Sequence, residues 1–259
     1  MFVNRLQSLW AEGRATLNGW LAIGNALGAE IVAAQGYDSL TLDMQHGAID
    51  DAAMLAMLQA MRASGVTPLV RVPWLEPGAI MRALDAGAHG VICPMVDSAE
   101  DAARFVACMR YPPLGGRSYG PLRARLVAGE DYVHQANARV LAIAMIETRA
   151  AMDALEAIAA TPGLDAVYVG PSDLTLSLSG GRLPPAYDPG QEMVATAVRR
   201  ILAVAKANGL RAGLHCGSVA QAVQAVGWGF DMVTVGDDAR FLARGAADTV
   251  AEFRAQAGG

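Results

Sequence analysis

Two carboxylates, a guanidinium and an imidazole stand at the ends of short apolar runs in this 259-residue chain. Glu147 closes Leu-Ala-Ile-Ala-Met145-Ile, the most apolar run in the sequence, and Asp173 follows Gly170-Pro171-Ser172 one strand-and-helix unit later. Carboxylates at neighbouring strand ends, with no thiolate or imidazole cluster beside them, suit a hard divalent ion: Mg2+, Mn2+ or Co2+. Two such ligands leave about four octahedral positions for water and substrate. Each acid also has a purely structural explanation, Asp173 as a helix cap and Glu147 as the partner of Arg149. Arg71 sits inside Leu-Val-Arg-Val, where an unpaired charge would be prohibitive. It must pair with Asp43 or Asp85, or else face a site and grip a carboxylate or a developing enolate.

His46 ends the segment Asp43-Met44-Gln45-His46. An imidazole near its ordinary pKa of about 6.5 suits proton transfer at neutral pH, with Asp43 or Asp85 available to orient it. His89 and His134 read as structural or solvated. His215 and Cys216 are adjacent on a strand and point to opposite faces, which argues against a Cys–His dyad. Cys93 and Cys108 read as small buried hydrophobes, while Cys216 at a strand end could line the site. A metal, an arginine and a histidine base could bind a 2-oxo acid and move a proton at the carbon beside its keto group. That is the electronic demand of a metal-dependent aldol cleavage. The rival imine route needs a lysine, and Lys206 is the only one among the 20 basic residues, placed in mid-helix.

The elements that must position these groups alternate in type. Strands are expected at Leu17–Ile23, Ser39–Asp43, Pro68–Val72, Gly90–Pro94, Leu141–Glu147, Ala166–Gly170, Arg211–His215 and Met232–Gly236. Ala-rich helical stretches such as Ala99–Met109 and Gln191–Ala207 lie between them. Strictly alternating strands and helices imply a parallel sheet with crossover helices, and eight units favour closure into a (β/α)8 TIM barrel. No linker or low-complexity tract interrupts residues 1–259, so one domain is expected. Barrels carry their chemistry at the C-terminal ends of the strands. Two long connections, Arg110–Gln135 and Ser179–Gly190, are expected at that face.

Composition narrows the function classes. Apolar residues make up 53% and charged residues 17%, which excludes a disordered or coiled-coil chain. A net charge of −5 with no basic block points away from nucleic acid and anionic membrane surfaces. No apolar run approaches the ~20 residues that span a bilayer, and the N-terminus lacks a signal pattern. Three cysteines without CxxC spacing fit a reduced, cytoplasmic protein.

The segments Asp-Met-Gln-His46, Val-Arg71-Val, Leu-Asp85-Ala-Gly-Ala, Pro-Met-Val, Arg-Tyr-Pro-Pro, Ile-Glu147-Thr-Arg and Gly-Pro-Ser-Asp173-Leu resemble, in order and spacing, the HpcH/HpaI aldolase family. The resemblance implies a (β/α)8 barrel, a divalent metal and reversible class II cleavage of 4-hydroxy-2-oxo acids to pyruvate and an aldehyde. It implies His46 as the base, Arg71 as stabiliser of the enolate and Asp85 as the residue raising the basicity of His46. Glu147 and Asp173 would hold the metal, and Ser172 would contact the pyruvate carboxylate. A homo-oligomer is implied as well, a hexamer or trimer that exchanges the last helix between subunits. Two positions depart from the pattern. Met145 stands where many relatives place a substrate-contacting Gln, and Gln45 stands where an acid often precedes the histidine. Altered donor choice, hydroxypyruvate beside pyruvate, is compatible with those departures. Two alternatives stay open. One is an acyl-CoA lyase of the citrate or malyl-CoA type, using Arg117, Arg123 and Arg125. The other is a non-catalytic oxo-acid-binding barrel, whose signature would be a lost base or ligand.

Overall fold

The apolar runs become eight parallel strands in a computed structural model that describes residues 2–187 and 191–257. They are β1 (Thr16–Leu21), β2 (Ser39–Asp43), β3 (Thr67–Arg71), β4 (Gly90–Cys93), β5 (Leu141–Ile146), β6 (Ala166–Val169), β7 (Arg211–Cys216) and β8 (Met232–Val235). Each pairs with the next, and β8 returns to β1, closing the barrel as one domain. The strand side-chain period of two sorts each strand into an inward and an outward set. Inward residues Leu69, Ile92, Ile143, Met145, Ala166, Tyr168 and Met232 pack together inside the barrel with Trp20. Outward residues such as Leu40, Val70, Val91 and Val167 join the larger core beneath the helices.

Helix α1 (Arg5–Ala11) precedes the first strand and is not apparent in the sequence pattern, being too short to show a period. Its Leu6 and Trp10 join the inward cluster, and the Trp10 indole donates to Thr16 Oγ1 and to the Asp231 carbonyl. The N-terminal mouth of the barrel is thereby plugged. The polar residues at the opposite mouth are left as the accessible interior.

The expectation for Arg110–Gln135 does not hold. Crossover helix α5 (Ala99–Met109) carries the chain back down, so this segment connects a helix to β5 and lies at the N-terminal end. It folds into α6 (Leu122–Ala128) and α7 (Tyr132–Arg139), and its arginines are used there. Arg110 bonds Asp165, Arg117 bonds Asp85, and Arg123 bonds the Leu58 and Ala86 carbonyls. The other long connection follows α10 (Pro171–Ser179), a short helix standing on β6, and does reach the C-terminal face through Tyr187. Residues 188–190 of that stretch lie outside the described residues.

Helix α12 (Val219–Trp228) exposes Val219, Val223 and Trp228, and α13 (Asp238–Ala257) has no buried residue along its 20. Phe241, Leu242, Val250 and Phe253 are exposed on α13, an apolar surface that the single chain leaves uncovered. No described helix is long and apolar enough to cross a membrane.

Candidate active site

Strand ends deliver the polar groups to one cleft of about 250 Å3 at the C-terminal mouth. Asp43 and Arg71 are register partners on β2 and β3, both on the inward face. Arg71 donates from Nη2 to Asp43 Oδ2 at 2.6 Å and from Nε to Oδ1 at 2.9 Å, a fork-to-carboxylate grip. The Trp20 indole donates to the same carboxylate at 3.2 Å, and the Arg71 guanidinium lies 4.9 Å from the Trp20 ring centre. Burial pushes the Asp43 pKa up, but the bonds and charge of Arg71 outweigh it, and the carboxyl stays below its ordinary range. The backbone N–H groups of Gln45 and His46 also donate to Asp43 Oδ1, at 3.0 and 3.3 Å. Asp43 therefore positions the His46 backbone rather than its imidazole, which lines the cleft and is exposed. Gln45 points elsewhere, its side-chain oxygen buried with no hydrogen-bond partner among the described residues.

Glu147 follows β5 and is 1% exposed. Oε1 accepts the Met95 N–H at 2.9 Å, and no salt bridge reaches the side chain among the described residues. Arg149 instead donates to the Leu178 carbonyl, so the expected structural pairing is not what holds Glu147. Burial first, then the nearby Asp173 charge, pushes the Glu147 pKa up to about 7, against the Met95 bond and Arg71, which pull it down. Gly170 makes room for this carboxylate: a Cβ there would lie 2.4 Å from Glu147 Oε2. Asp173, in the first turn of α10, lines the same cleft and is exposed, and no side chain caps that helix. Ser172 and Met145 also line the cleft, with Met145 Sδ 4.0 Å from Arg71 Nη1.

Trp20, Tyr168, Tyr187, His215 and Asp237 line the cleft too and are not among the residues expected from the sequence. The inward parity of the strands could have found three of them. Met145 pairs in register with Tyr168, and His215 with Thr234, all on the inward face. Tyr187 comes from an irregular segment with no such signal.

The family model described as HpcH/HpaI aldolase/citrate lyase matches residues 17–244. The chain belongs to this family. It is 38% identical to a hydroxypyruvate/pyruvate aldolase of Rhizorhabdus wittichii over 98% of this chain and 100% of the relative. It is 35% identical to a 5-keto-4-deoxy-D-glucarate aldolase of Citrobacter koseri, covering 92% of this chain and 91% of the other. A crystal structure of an HpcH/HpaI aldolase/citrate lyase family protein from Burkholderia cenocepacia superposes with a TM-score of 0.89 at 35% identity, over 97% of this chain and 100% of that one. The chain is thus an aldolase-type carbon–carbon lyase of the HpcH/HpaI family.

One residue expected in this HpcH/HpaI site is not brought there. Asp85 ends helix α4 (Pro77–Asp85), which runs from the C-terminal mouth back to the N-terminal end. Its carboxylate accepts from Arg117 at 2.7 Å, so within one chain it cannot act on His46. Lys206 is likewise remote, paired with Asp231 at the N-terminal end. The donor set left in the cleft fits a divalent cation. Among the described residues Glu147 has no salt-bridge partner and lies near a second carboxylate, an arrangement that costs free energy until a positive ion joins it.

Proposed function

We propose that the chain is a metal-dependent class II aldolase that reversibly cleaves 4-hydroxy-2-oxo acids to pyruvate or hydroxypyruvate and an aldehyde. The observation that carries this reading is the buried Glu147, which no salt bridge reaches among the described residues, beside Asp173 in one cleft with Arg71 and His46. Glu147 and Asp173 would hold a divalent ion, Mg2+, Mn2+ or Co2+ by donor type. Such an ion would supply Lewis-acid charge to a bound oxo acid.

The chain's own residues then account for the remaining steps. Arg71, locked by Asp43 through Nε and Nη2, leaves Nη1 with the weak 4.0 Å bond to Met145 Sδ, one that the oxygen on which negative charge develops can replace. Ser172, at the start of α10, contacts the substrate carboxylate through its hydroxyl or backbone N–H. In the cleavage direction His46 takes the proton of the 4-hydroxyl. The C3–C4 bond then breaks, its electron pair entering the enolate of the oxo acid, and the new aldehyde departs. A proton returned to C3 completes the product. Met145 places an apolar wall beside Arg71, and Gln45 brings no second acid to the base.

Donor choice is supported by the hydroxypyruvate/pyruvate aldolase likeness. The acyl-CoA alternative is not favoured, because Arg117, Arg123 and Arg125 are engaged at the N-terminal end by Asp85, two carbonyls and Glu130. The uncovered apolar faces of α12 and α13 support a homo-oligomer, hexamer or trimer, that exchanges its last helix. A role for Asp85 at His46 would require a neighbouring copy. Three cysteines without CxxC spacing support a cytoplasmic setting.

Incubating the protein with pyruvate in D2O, with Mn2+ or Mg2+ and with or without chelator, tests the reading. Chelator-sensitive loss of the methyl proton signal by NMR is expected. No exchange of pyruvate or hydroxypyruvate protons with any divalent metal would overturn it.

A further inference from the structure

His215 is 8% exposed and lines the cleft, yet its Nε2 is buried with no hydrogen-bond partner in the described structure. An imidazole nitrogen removed from water and left unpaired is a standing cost, tolerated where a ligand completes it. The ring is not free to turn away. Tyr187 stacks on it at 4.7 Å and 21°, Trp20 meets it edge-on at 5.1 Å, and Arg240 lies over Tyr187 at 4.5 Å.

Its hydrogen bonds fix which kind of partner Nε2 can take. The Tyr168 hydroxyl donates to Thr234 Oγ1 at 2.8 Å, and the same oxygen lies 3.3 Å from His215 Nδ1. With the phenolic proton committed to the shorter bond, Nδ1–H donates to the Tyr168 oxygen, and Nε2 carries the lone pair. Burial, with Arg71 and Arg240 nearby, pulls the ring's pKa down to about 3 against Asp43, so the imidazole stays neutral. A neutral acceptor repels carboxylate and keto oxygens alike. Among the groups of a small oxo acid or an aldehyde, only a hydroxyl can donate to it.

We infer that His215 Nε2 accepts a hydrogen bond from a substrate hydroxyl and so makes the enzyme selective for a hydroxylated substrate. The hydroxyl is carried either by the aldehyde or by the oxo acid. His215 is a specificity residue and no proton carrier. The inference rests on the aldolase reading above.

His215→Phe keeps the stacked ring and deletes the acceptor; His215→Leu serves the same comparison should the first variant not fold. Three carbon–carbon bond-forming reactions are compared: pyruvate with acetaldehyde, pyruvate with glycolaldehyde, and hydroxypyruvate with acetaldehyde. The substitution is expected to lower kcat/KM about tenfold in one hydroxylated reaction while the first reaction changes by less than about twofold. The reaction that suffers identifies the hydroxyl. His215→Gln, which restores an acceptor oxygen, is expected to recover part of the loss. An equal loss in all three reactions, or none, overturns the inference. Pyruvate methyl exchange is followed alongside. Exchange that persists without discrimination sinks only the role of His215, whereas no exchange in the unsubstituted protein sinks the aldolase reading and this inference together.

Discussion

Asp43 ties Arg71 to the loop that carries His46: one oxygen, Oδ1, receives both Arg71 Nε at 2.9 Å and the backbone N–H of His46 at 3.3 Å. The pair is buried, and removing one charge of a buried pair leaves the other uncompensated. Asp43→Asn is expected to destabilise the protein by about 3 kcal/mol. Pyruvate proton exchange is expected to fall by roughly a hundredfold, the order seen when a transition-state donor is lost. Denaturant unfolding and NMR exchange measure the two. Unchanged stability with normal exchange would mean that the carboxylate charge anchors neither group.

Gly170 carries a second prediction. A methyl group there would lie 2.4 Å from Glu147 Oε2 and 2.9 Å from Met145 Cε. Gly170→Ala must displace the carboxylate, because the strand end on which it sits cannot move far. Overpacking of this kind costs about 1–3 kcal/mol. Metal affinity, read by calorimetric titration, is expected to weaken at least tenfold while the far-ultraviolet spectrum stays unchanged. Full-strength binding in the variant would show that the ion does not use Oε2.

The barrel itself was legible from the sequence because parallel strands buried on both faces read as continuous apolar runs, and all eight fall within a few residues of where those runs predict. The charged residues at the strand ends were legible for the same reason: Arg71 and Glu147 interrupt or close a run that has no other use for a charge. Asp85 was assigned to His46 by motif alone, and within one chain the direction of α4 carries it to the N-terminal end, beside Arg117. The same accounting, one helix per return, relocates Arg110–Gln135. Trp20 and Tyr168 escaped notice, and His215 was weighed only as half of a Cys–His dyad, because aromatic and imidazole rings inside apolar runs look like core. Only the closed ring of inward positions shows that their edges reach the cleft.

His46 reaches the cleft on an exposed loop, with its backbone fixed and its ring accessible. In its proposed role as the base, His46 would act on the proton and not on the ion. His46→Ala is expected to slow pyruvate exchange by about 100- to 10,000-fold while Mn2+ affinity changes by less than about threefold. The opposite pattern, weak metal binding with residual exchange at saturating metal, would make His46 a ligand.

Lys206 offers a clean discrimination of mechanism, because no other lysine exists to form an imine. Its ammonium pairs with Asp231 at the N-terminal end of the barrel, which Arg211 also bonds. Lys206→Met is expected to keep exchange and cleavage within about twofold and to cost about 1 kcal/mol at most, the scale of a half-exposed ion pair. Borohydride added with pyruvate should not inactivate the unsubstituted protein. Inactivation that the Met variant escapes would return the imine route to consideration.

The raised pKa of Glu147 gives the site a pH signature. The unfolded carboxyl loses its proton near 4.5, while the folded one holds it up to about 7. Between those values the folded state binds more protons, so this group makes metal-free stability fall as pH rises through the window. A cation bound to the ionised carboxylate reverses the penalty, and below about pH 7 the proton competes with it. The rise in Tm on adding Mn2+ is therefore expected to be larger at pH 8 than at pH 5.5, with apparent metal affinity falling as the solution is acidified. Glu147→Gln removes the titration, so its metal-free Tm should lose this group's decline across the window and its Tm should no longer respond to Mn2+. Asp173→Ala is expected to lower the Glu147 pKa, since one of the charges raising it is gone, and to abolish metal-dependent exchange with the fold intact. A metal-induced Tm shift that is equal at both pH values would show that the ion is held without displacing a proton from Glu147.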